Sequence, residues 1–388
     1  MGFFIDVAYY SVNKFGEELC GDNVEIFHNE ESTFVVMADG LGSGVKANIL
    51  ATMTTKIAGT MLKEGVSIAE TVETITNTLP VCQVRKLAYS TFGIIQLSKN
   101  GQCHIIEYDN PPVFFIRDGE ILEIEKKELI INQRLVRESY VDIQMEDTLV
   151  LVSDGVIHAG VGAVLNLGWQ WENVADYLKK NVPGEKCADN ISKGLLDVCK
   201  CLYSNKPGDD TTVVAVKIRE QEIIDLFTGP PENAEKDKQL VKDFMAGPGK
   251  KVVCGGTAAK IISRELGREM EIDIDYINPE VPPIARIWGI DLVTEGVLTM
   301  SRALEIIHRY CDTKEEGVIT LKSKDGATLL AKMLIEDCTH LNLWIGKAVN
   351  PAHQNPDFPI DLSIKLKVVD SLVETMRQLG KVVSINYY

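Results

Sequence analysis

Four short acidic signatures recur in the first part of the chain: Gly21-Asp22-Asn23, Ala38-Asp39-Gly40, Ser153-Asp154-Gly155 and Gly208-Asp209-Asp210-Thr211. Three of them adjoin apolar runs, with residues 33–37 leading into Asp39, 148–152 leading into Asp154 and 212–216 following Asp209. Runs of that length and β-branched content read as buried strands. A carboxylate at a strand end, with glycine beside it, can turn out of a sheet while the backbone comes close to a ligand. Several such ends brought together form a cluster of hard oxygen donors, which stay ionised in one place only if cations neutralise them. An isolated Asp-Gly pair is no more than a turn signal, so the chemistry rests on the ordered set and its strands.

The elements that must position these carboxylates can be read from the periodicity. Strands are expected at 3–10, 24–28, 33–38, 90–97, 103–108, 113–116, 121–124, 148–153 and 212–218. A helix is expected from Gly42 to Met61, opened by Gly42-Ser43-Gly44, and a second from Ser67, its cap, to Thr78 before Pro80. Two more, near 171–180 and 187–203, lie between the last two acidic signatures.

Taken in order, the signatures resemble the metal-dependent serine/threonine protein phosphatases (the PPM, or type 2C, family), and in particular their SpoIIE-like bacterial branch. The resemblance covers residues 1–220 and is carried by Gly16-Glu17-Glu18-Leu19-Cys20-Gly21-Asp22-Asn23, Met37-Ala38-Asp39-Gly40-Leu41-Gly42-Ser43-Gly44, Leu151-Val152-Ser153-Asp154-Gly155-Val156 and Gly208-Asp209-Asp210-Thr211-Thr212-Val213. Asn110-Pro111-Pro112 and the hairpin signal Arg117-Asp118-Gly119-Glu120 support it. The family fold would be an α+β, α-β-β-α sandwich: two packed sheets with helices outside them.

The resemblance also implies a mechanism, with Mn²⁺ or Mg²⁺ as two ions about 3.5–4 Å apart that activate a water for in-line attack on a phosphoserine or phosphothreonine. Carried over motif by motif, Asp39 would bridge both ions and the Gly40 carbonyl would bind the second. Asp154 and Asp209 would complete the first ion's site, and Asp22 would hold the second directly or through water. Asp209-Asp210 leaves open which carboxylate is the ligand; the family pattern favours Asp209. An Arg that grips phosphate in many eukaryotic relatives is replaced here by Asn13-Lys14, which leaves the phosphate mainly to the metals. Glu17 and Glu18 read equally as supporting acids or as a solvated turn, and Asn110 as a family position or as a plain turn.

Length and charge agree with this reading. The 388 residues suffice for two domains, and a hydrophobic fraction of 45% is that of a globular chain. A formal charge of −16 argues against nucleic acid or an anionic membrane as partner, both of which need basic surface. Nine cysteines without a CxxC pair read as reduced thiols; Cys199 and Cys201 are the nearest pair and are taken as structural. No signal peptide, myristoylation motif or membrane-length apolar run is present in the sequence, so a cytoplasmic protein is expected.

After the first domain, assigned to 1–222, the stretch 223–249 is rich in Pro, Gly and charge and reads as a linker with a short helix. Residues 250–388 read as a separate α/β domain. It has strands at 251–254, 269–277, 340–346 and 381–387 and helices at 257–266, 296–310, 325–337 and 362–379. Within it, Gly255, Gly256 and Thr257 form a diglycine turn that could receive an anion, although a structural turn capped by Thr257 competes with that reading. Asp291, Thr294 and Glu295 make a second polar patch before a helix. His340 and His353 lack a third metal ligand.

The functional expectation is a bacterial phosphoprotein phosphatase whose second domain regulates it, by sensing a small ligand or by homodimerisation. The resemblance suggests a phosphorylated anti-anti-sigma-like protein as substrate. A pseudophosphatase scaffold and an assembly protein are the alternatives.

Overall fold

The computed structural model describes residues 3–78, 90–132, 134–272, 283–312, 321–348 and 361–388. It divides into two compact units, Phe3–Glu220 and Gln221–Tyr388.

The first unit begins with β1 (Phe3–Val12), β2 (Asp22–His28), β3 (Ser32–Gly40), α1 (Gly44–Lys63), α2 (Ile68–Thr78), β4 (Ser90–Ser98) and β5 (Gln102–Tyr108). It continues through β6 (Phe114–Arg117), β7 (Glu120–Leu122), β8 (Lys127–Ile131), β9 (Arg134–Asp142) and β10 (Thr148–Val152). The remaining elements are α3 (Asp154–Ile157), α4 (Trp171–Asn181), α5 (Ala188–Leu202) and β11 (Thr211–Glu220). Two antiparallel sheets result, ordered β1-β11-β10-β6-β7 and β2-β3-β4-β5-β9-β8.

The apolar run before Asp39 is continuous because β3 is buried on both faces. Phe34, Val36 and Ala38 pack under α1 and α2, against Ala51, Ala58, Leu62, Val72 and Ile75. Val35 and Met37 point the other way, into the space between the sheets, where they meet Leu149, Leu151, Val214 and Val216. The period-2 alternation of side chains divides one strand between two cores. On the far side α5 lies over β1 and β11, which completes an α-β-β-α sandwich. Ser67 does cap α2, its hydroxyl accepting from the Glu70 N–H at 3.3 Å and donating to the Glu70 carboxylate at 2.8 Å.

Strands β8 and β9 were not expected. Their alternation is masked by charge, since Lys127, Glu128, Arg134, Arg137 and Glu138 occupy positions on the periphery of the six-stranded sheet.

The second unit comprises β12 (Ile223–Thr228), α6 (Asp237–Ala246), β13 (Lys250–Cys254), α7 (Gly256–Leu266), β14 (Met270–Ile272), β15 (Ala285–Ile287) and β16 (Leu292–Thr294). It ends with α8 (Val297–Cys311), α9 (Gly326–Lys332), β17 (His340–Ile345), α10 (Asp361–Gln378) and β18 (Val382–Tyr387). The sheet order is β14-β15-β16-β13-β12-β17-β18. The five strands from β16 to β18 are parallel, as expected of an α/β unit.

One expectation needs correction: 223–249 is not simply a linker with a short helix. Its first residues form β12, which lies between β13 and β17, with Ile224, Leu226 and Phe227 fully buried. The sequence Ile-Ile-Asp-Leu-Phe-Thr hides this strand because Asp225 interrupts it. That carboxylate is buried and answered by the Lys251 ammonium at 2.6 Å, the Asn342 amide at 3.0 Å and the Trp344 indole N–H at 3.2 Å.

Candidate metal centre

The two sheets bring their acid-bearing ends together. Asp22 opens β2 and is the register partner of Asp39, the penultimate residue of β3. Asp154 follows the end of β10 and starts the one-turn α3, while Asp209-Asp210 immediately precedes β11. The sheets are tied at this end by the Asn110 amide, which donates to the Val152 carbonyl at 3.2 Å and to the Pro111 carbonyl at 3.1 Å. Asn110 therefore braces the end of β10 as well as forming its turn.

Glycine is required beside two of the acids by close approach. A Cβ on Gly40 would lie 2.0 Å from the Ala47 carbonyl oxygen of α1. One on Gly155 would lie 2.1 Å from the Asp210 carbonyl oxygen. The motif glycines thus allow the acid-bearing segments to pack against their neighbours. The buried Tyr203 hydroxyl holds Gly155 in place by donating to its carbonyl at 2.8 Å.

A cleft of about 630 Å³ opens where these ends meet, lined by Asp39, Gly40, Asp154 and Asp209 of the expected set. Asp22 lies beside it, only 4% exposed, and neither of its carboxylate oxygens has a hydrogen-bond partner. Asp210 is equally buried. One of its oxygens accepts from the Lys14 N–H at 3.0 Å, which turns it toward the chain before β2, while Asp209 faces the cleft.

The electrostatics are those of crowded carboxylates. Burial, with Asp22, Asp154, Asp209 and Asp210 nearby, pushes Asp39 up to about 9. Burial also raises Asp22 to about 7, offset in part by the Thr212 and Ser153 hydroxyls, which lie near its carboxylate beyond hydrogen-bonding distance, and reinforced by Asp210 and Asp154. Asp154 is raised by burial and then by Asp209, and Asp210 chiefly by burial. Such a set favours a bound cation, which would stabilise the ionised forms that burial and mutual repulsion oppose. Orphaned oxygens on Asp22 and an all-oxygen donor set fit Mg²⁺ or Mn²⁺ better than zinc. Among the described residues, no three His, Cys, Asp or Glu side chains form a ready-made metal cage. The donors surround a cleft without closing on one point.

The sequence reading missed several cleft residues. Leu41, Gly42, Ser43, Thr91 and Asp109 all line it. Asp109 carried the same signal as the others, an acid at the end of a strand, but the following Asn-Pro-Pro drew attention to the turn. Lys14 also lines the cleft, with its ammonium 3.9 Å from Asp209. Glu17 is exposed and accepts from the Ser43 hydroxyl at 3.1 Å, and the Glu18 carbonyl accepts from the Asn13 amide at 2.9 Å; neither carboxylate lines the cleft.

In the second unit Thr257 is not the cap. Gly255 occupies that position with φ at +130°, α7 starts at Gly256, and Thr257 is exposed inside the first turn. Asp291 accepts from the Lys251 N–H at 2.6 Å and the Thr294 hydroxyl contacts the Cys254 sulfur at 3.4 Å, while Glu295 is exposed. His340 is paired with Thr339 at 2.9 Å, and His353 lies outside the described residues.

Residues 29–219 match the family model described as Stage II sporulation protein E (SpoIIE). The chain is similar to the Stage II sporulation protein E of Bacillus subtilis (strain 168), at 25% identity over 189 residues, covering 47% of this chain and 22% of that protein. It is also similar to that of Priestia megaterium, at 22% identity over 224 residues, covering 56% and 37%. The chain thus matches well under half the length of either relative. Among solved structures it resembles the PP2C phosphatase domain, with a fragment of the regulatory domain, of SpoIIE from Bacillus subtilis. That likeness has a TM-score of 0.48 at 22% identity and covers 56% of this chain and 64% of that one.

Proposed function

We propose, from the premise that residues 29–219 form a SpoIIE-like domain of the metal-dependent protein phosphatases, that this protein hydrolyses phosphoserine or phosphothreonine on a bacterial signalling protein. The observation that carries the proposal is the cleft: Asp39, Asp154 and Asp209 come from three separate segments and line one opening, with the orphaned carboxylate of Asp22 beside it.

Asp39, Asp154 and Asp209, the Gly40 carbonyl and Asp22 are the groups that would hold two Mn²⁺ or Mg²⁺ ions. Bound there, the ions would supply Lewis acidity toward the phosphoryl group and an acidified water. The chain's own contribution is placement and field. Lys14 puts an ammonium at the rim of an otherwise acidic opening and gives a phosphate dianion a point of approach. Asn110 and Tyr203 fix the ends of β10 and α3, so that Asp154 is held by bonded backbone. Asp210 supports Lys14 and leaves the cleft to Asp209. The reading extends to regulation by the second unit and to an anti-anti-sigma-like phosphoprotein as substrate, the substrate class that the family resemblance suggests.

A silent scaffold, which would keep the same cleft without turnover, is the alternative. Turnover decides between the two readings. Phosphate release from p-nitrophenyl phosphate and a phosphothreonine peptide is expected with Mn²⁺ or Mg²⁺ and not with EDTA. Asp39→Asn, Asp154→Asn and Asp209→Asn should each lower it by about 100-fold or more, since each removes a ligand. Asp210→Asn, which keeps an oxygen for the Lys14 N–H, should stay within about tenfold. Metal-independent turnover, or full activity in Asp39→Asn, would refute the assignment. Absence of turnover in every metal, both from the full chain and from residues 1–222, would support the scaffold.

A further inference from the structure

The second unit's sheet has two edges that differ in kind. At one end β14 has three residues, Met270–Ile272, with Arg268, Glu269 and Glu271 at or beside it. Short length and charge are the usual protections of an edge strand. At the other end β18 has six residues, Val-Val-Ser-Ile-Asn-Tyr, with no charge, no proline and no bulge in its pairing with β17. Among the described residues no strand pairs with its outer side.

The hydrogen bonding fixes which residues present that side. The Val382 N–H donates to the Thr339 carbonyl at 3.0 Å and the Tyr388 N–H to the Ile345 carbonyl at 2.9 Å, so both point toward β17. Backbone groups alternate sides along a strand. Ser384 and Asn386 therefore also face β17, and Val383, Ile385 and Tyr387 direct their N–H and C=O groups outward.

An open groove of about 590 Å³ runs between this edge and α10, lined by Asp370, Val373, Glu374, Arg377, Gln378 and Ile385. Its floor is apolar, from Val373 and Ile385, and its walls carry both signs of charge. Asp370 and Arg377 lie about two helical turns apart along α10, and Ile385 lines the same groove.

We infer that β18 is a homodimerisation edge, pairing antiparallel with β18 of a second copy about a two-fold axis through Ile385. The arrangement is self-complementary in three respects. Ile385 exchanges both backbone bonds with its own copy, and Val383 does so with Tyr387 of the second copy, so every outward-facing group in the strand is used. On the α10 side these pairings set Ile385 against Ile385 and a β-branched residue against an aromatic one, both favourable cross-strand pairs. The same axis sets the two α10 helices antiparallel, so that the Arg377 end of each groove wall turns toward the Asp370 end of the other. An isologous contact of this kind closes on itself and leaves no free edge to propagate.

The test is the solution mass of the full chain by sedimentation velocity and light scattering over about 1–100 µM, a range that resolves ordinary homodimers. Wild type should run at twice 43.0 kDa. Ile385→Pro removes an outward N–H that β17 does not use, and should give a monomer with unchanged circular dichroism. Arg377→Asp should weaken dimerisation by at least tenfold, and Asp370→Arg combined with Arg377→Asp should restore it. These charge variants leave the strand intact and keep the test decisive if the proline variant fails to fold. A wild type that stays monomeric throughout the range would overturn the inference, as would a dimer that persists unchanged in both Ile385→Pro and Arg377→Asp.

Discussion

Asp39 and Asp22 carry the strongest consequence at the scale of single residues. Burial and neighbouring carboxylates raise them to about 9 and about 7, whereas an unfolded chain titrates an aspartate near about 3.9. The folded state therefore binds more protons than the unfolded state across that interval. Stability contributed by these groups is complete below about pH 4 and is lost as pH rises through 7 and then 9. In EDTA, the melting temperature of the first unit should fall between pH 6 and pH 9, and the decline should be shallower in Asp39→Asn, which has no such proton to lose. Mn²⁺ should reverse the trend, raising the melting temperature most at the alkaline end, where the carboxylates are already ionised. Thermal scans of both proteins with and without metal would check this. A wild-type slope no steeper than that of Asp39→Asn would mean that the carboxylates do not oppose one another as their burial requires.

At the scale of elements, the acidic ends are held by contacts that only glycine permits. Gly155→Ala would drive a Cβ to 2.1 Å from the Asp210 carbonyl, and because the obstacle is backbone no side chain can swing away. A loss at or beyond the upper end of the roughly 1–3 kcal/mol typical of overpacking is expected, measured by urea denaturation, together with loss of turnover through displacement of Asp154. This constraint also shows why so much of the site was legible. Asp39, Asp154 and Asp209 stand where continuous apolar runs meet glycine, whereas Asp22 has only Gly21 and its place in the ordered set to mark it, and β3, β10 and β11 read as strands because both of their faces are buried. Asp109 stood at a strand end as well, but a Pro-Pro turn signal lay over it. Strands β8 and β9 were illegible because their peripheral position admits charge, and β12 because one buried aspartate broke its run. Nothing local could reveal that Asp225 is satisfied by Lys251, Asn342 and Trp344, since those partners come from other strands. The Thr257 cap failed for a different reason: Gly255 takes a positive φ that a capping side chain would have opposed.

At the scale of the whole molecule, the boundary between the two units decides how the chain can be divided. The first has its own paired cores on either side of the six-stranded sheet, and the second has a separate one in which Phe227 packs with Val253, Phe244 and Ile262. Phe227 belongs to β12, so a second-unit fragment cut at 250, where the sequence alone suggested the domain begins, lacks the strand on which β13 and β17 both pair. That fragment also strips Lys251 of Asp225 and leaves a buried ammonium without its carboxylate, a loss of about 3–5 kcal/mol before any packing is counted. Residues 250–388 should therefore be unfolded or aggregated by circular dichroism and size exclusion, while residues 221–388 should fold and melt cooperatively. Residues 1–220 should melt as one of the two transitions of the full chain. If β18 pairs between copies, the melting temperature of 221–388 should rise with protein concentration, while that of 1–220 stays constant, because only association makes a midpoint depend on concentration. A cooperative melt from residues 250–388 would show that β12 is dispensable and that the boundary belongs after it.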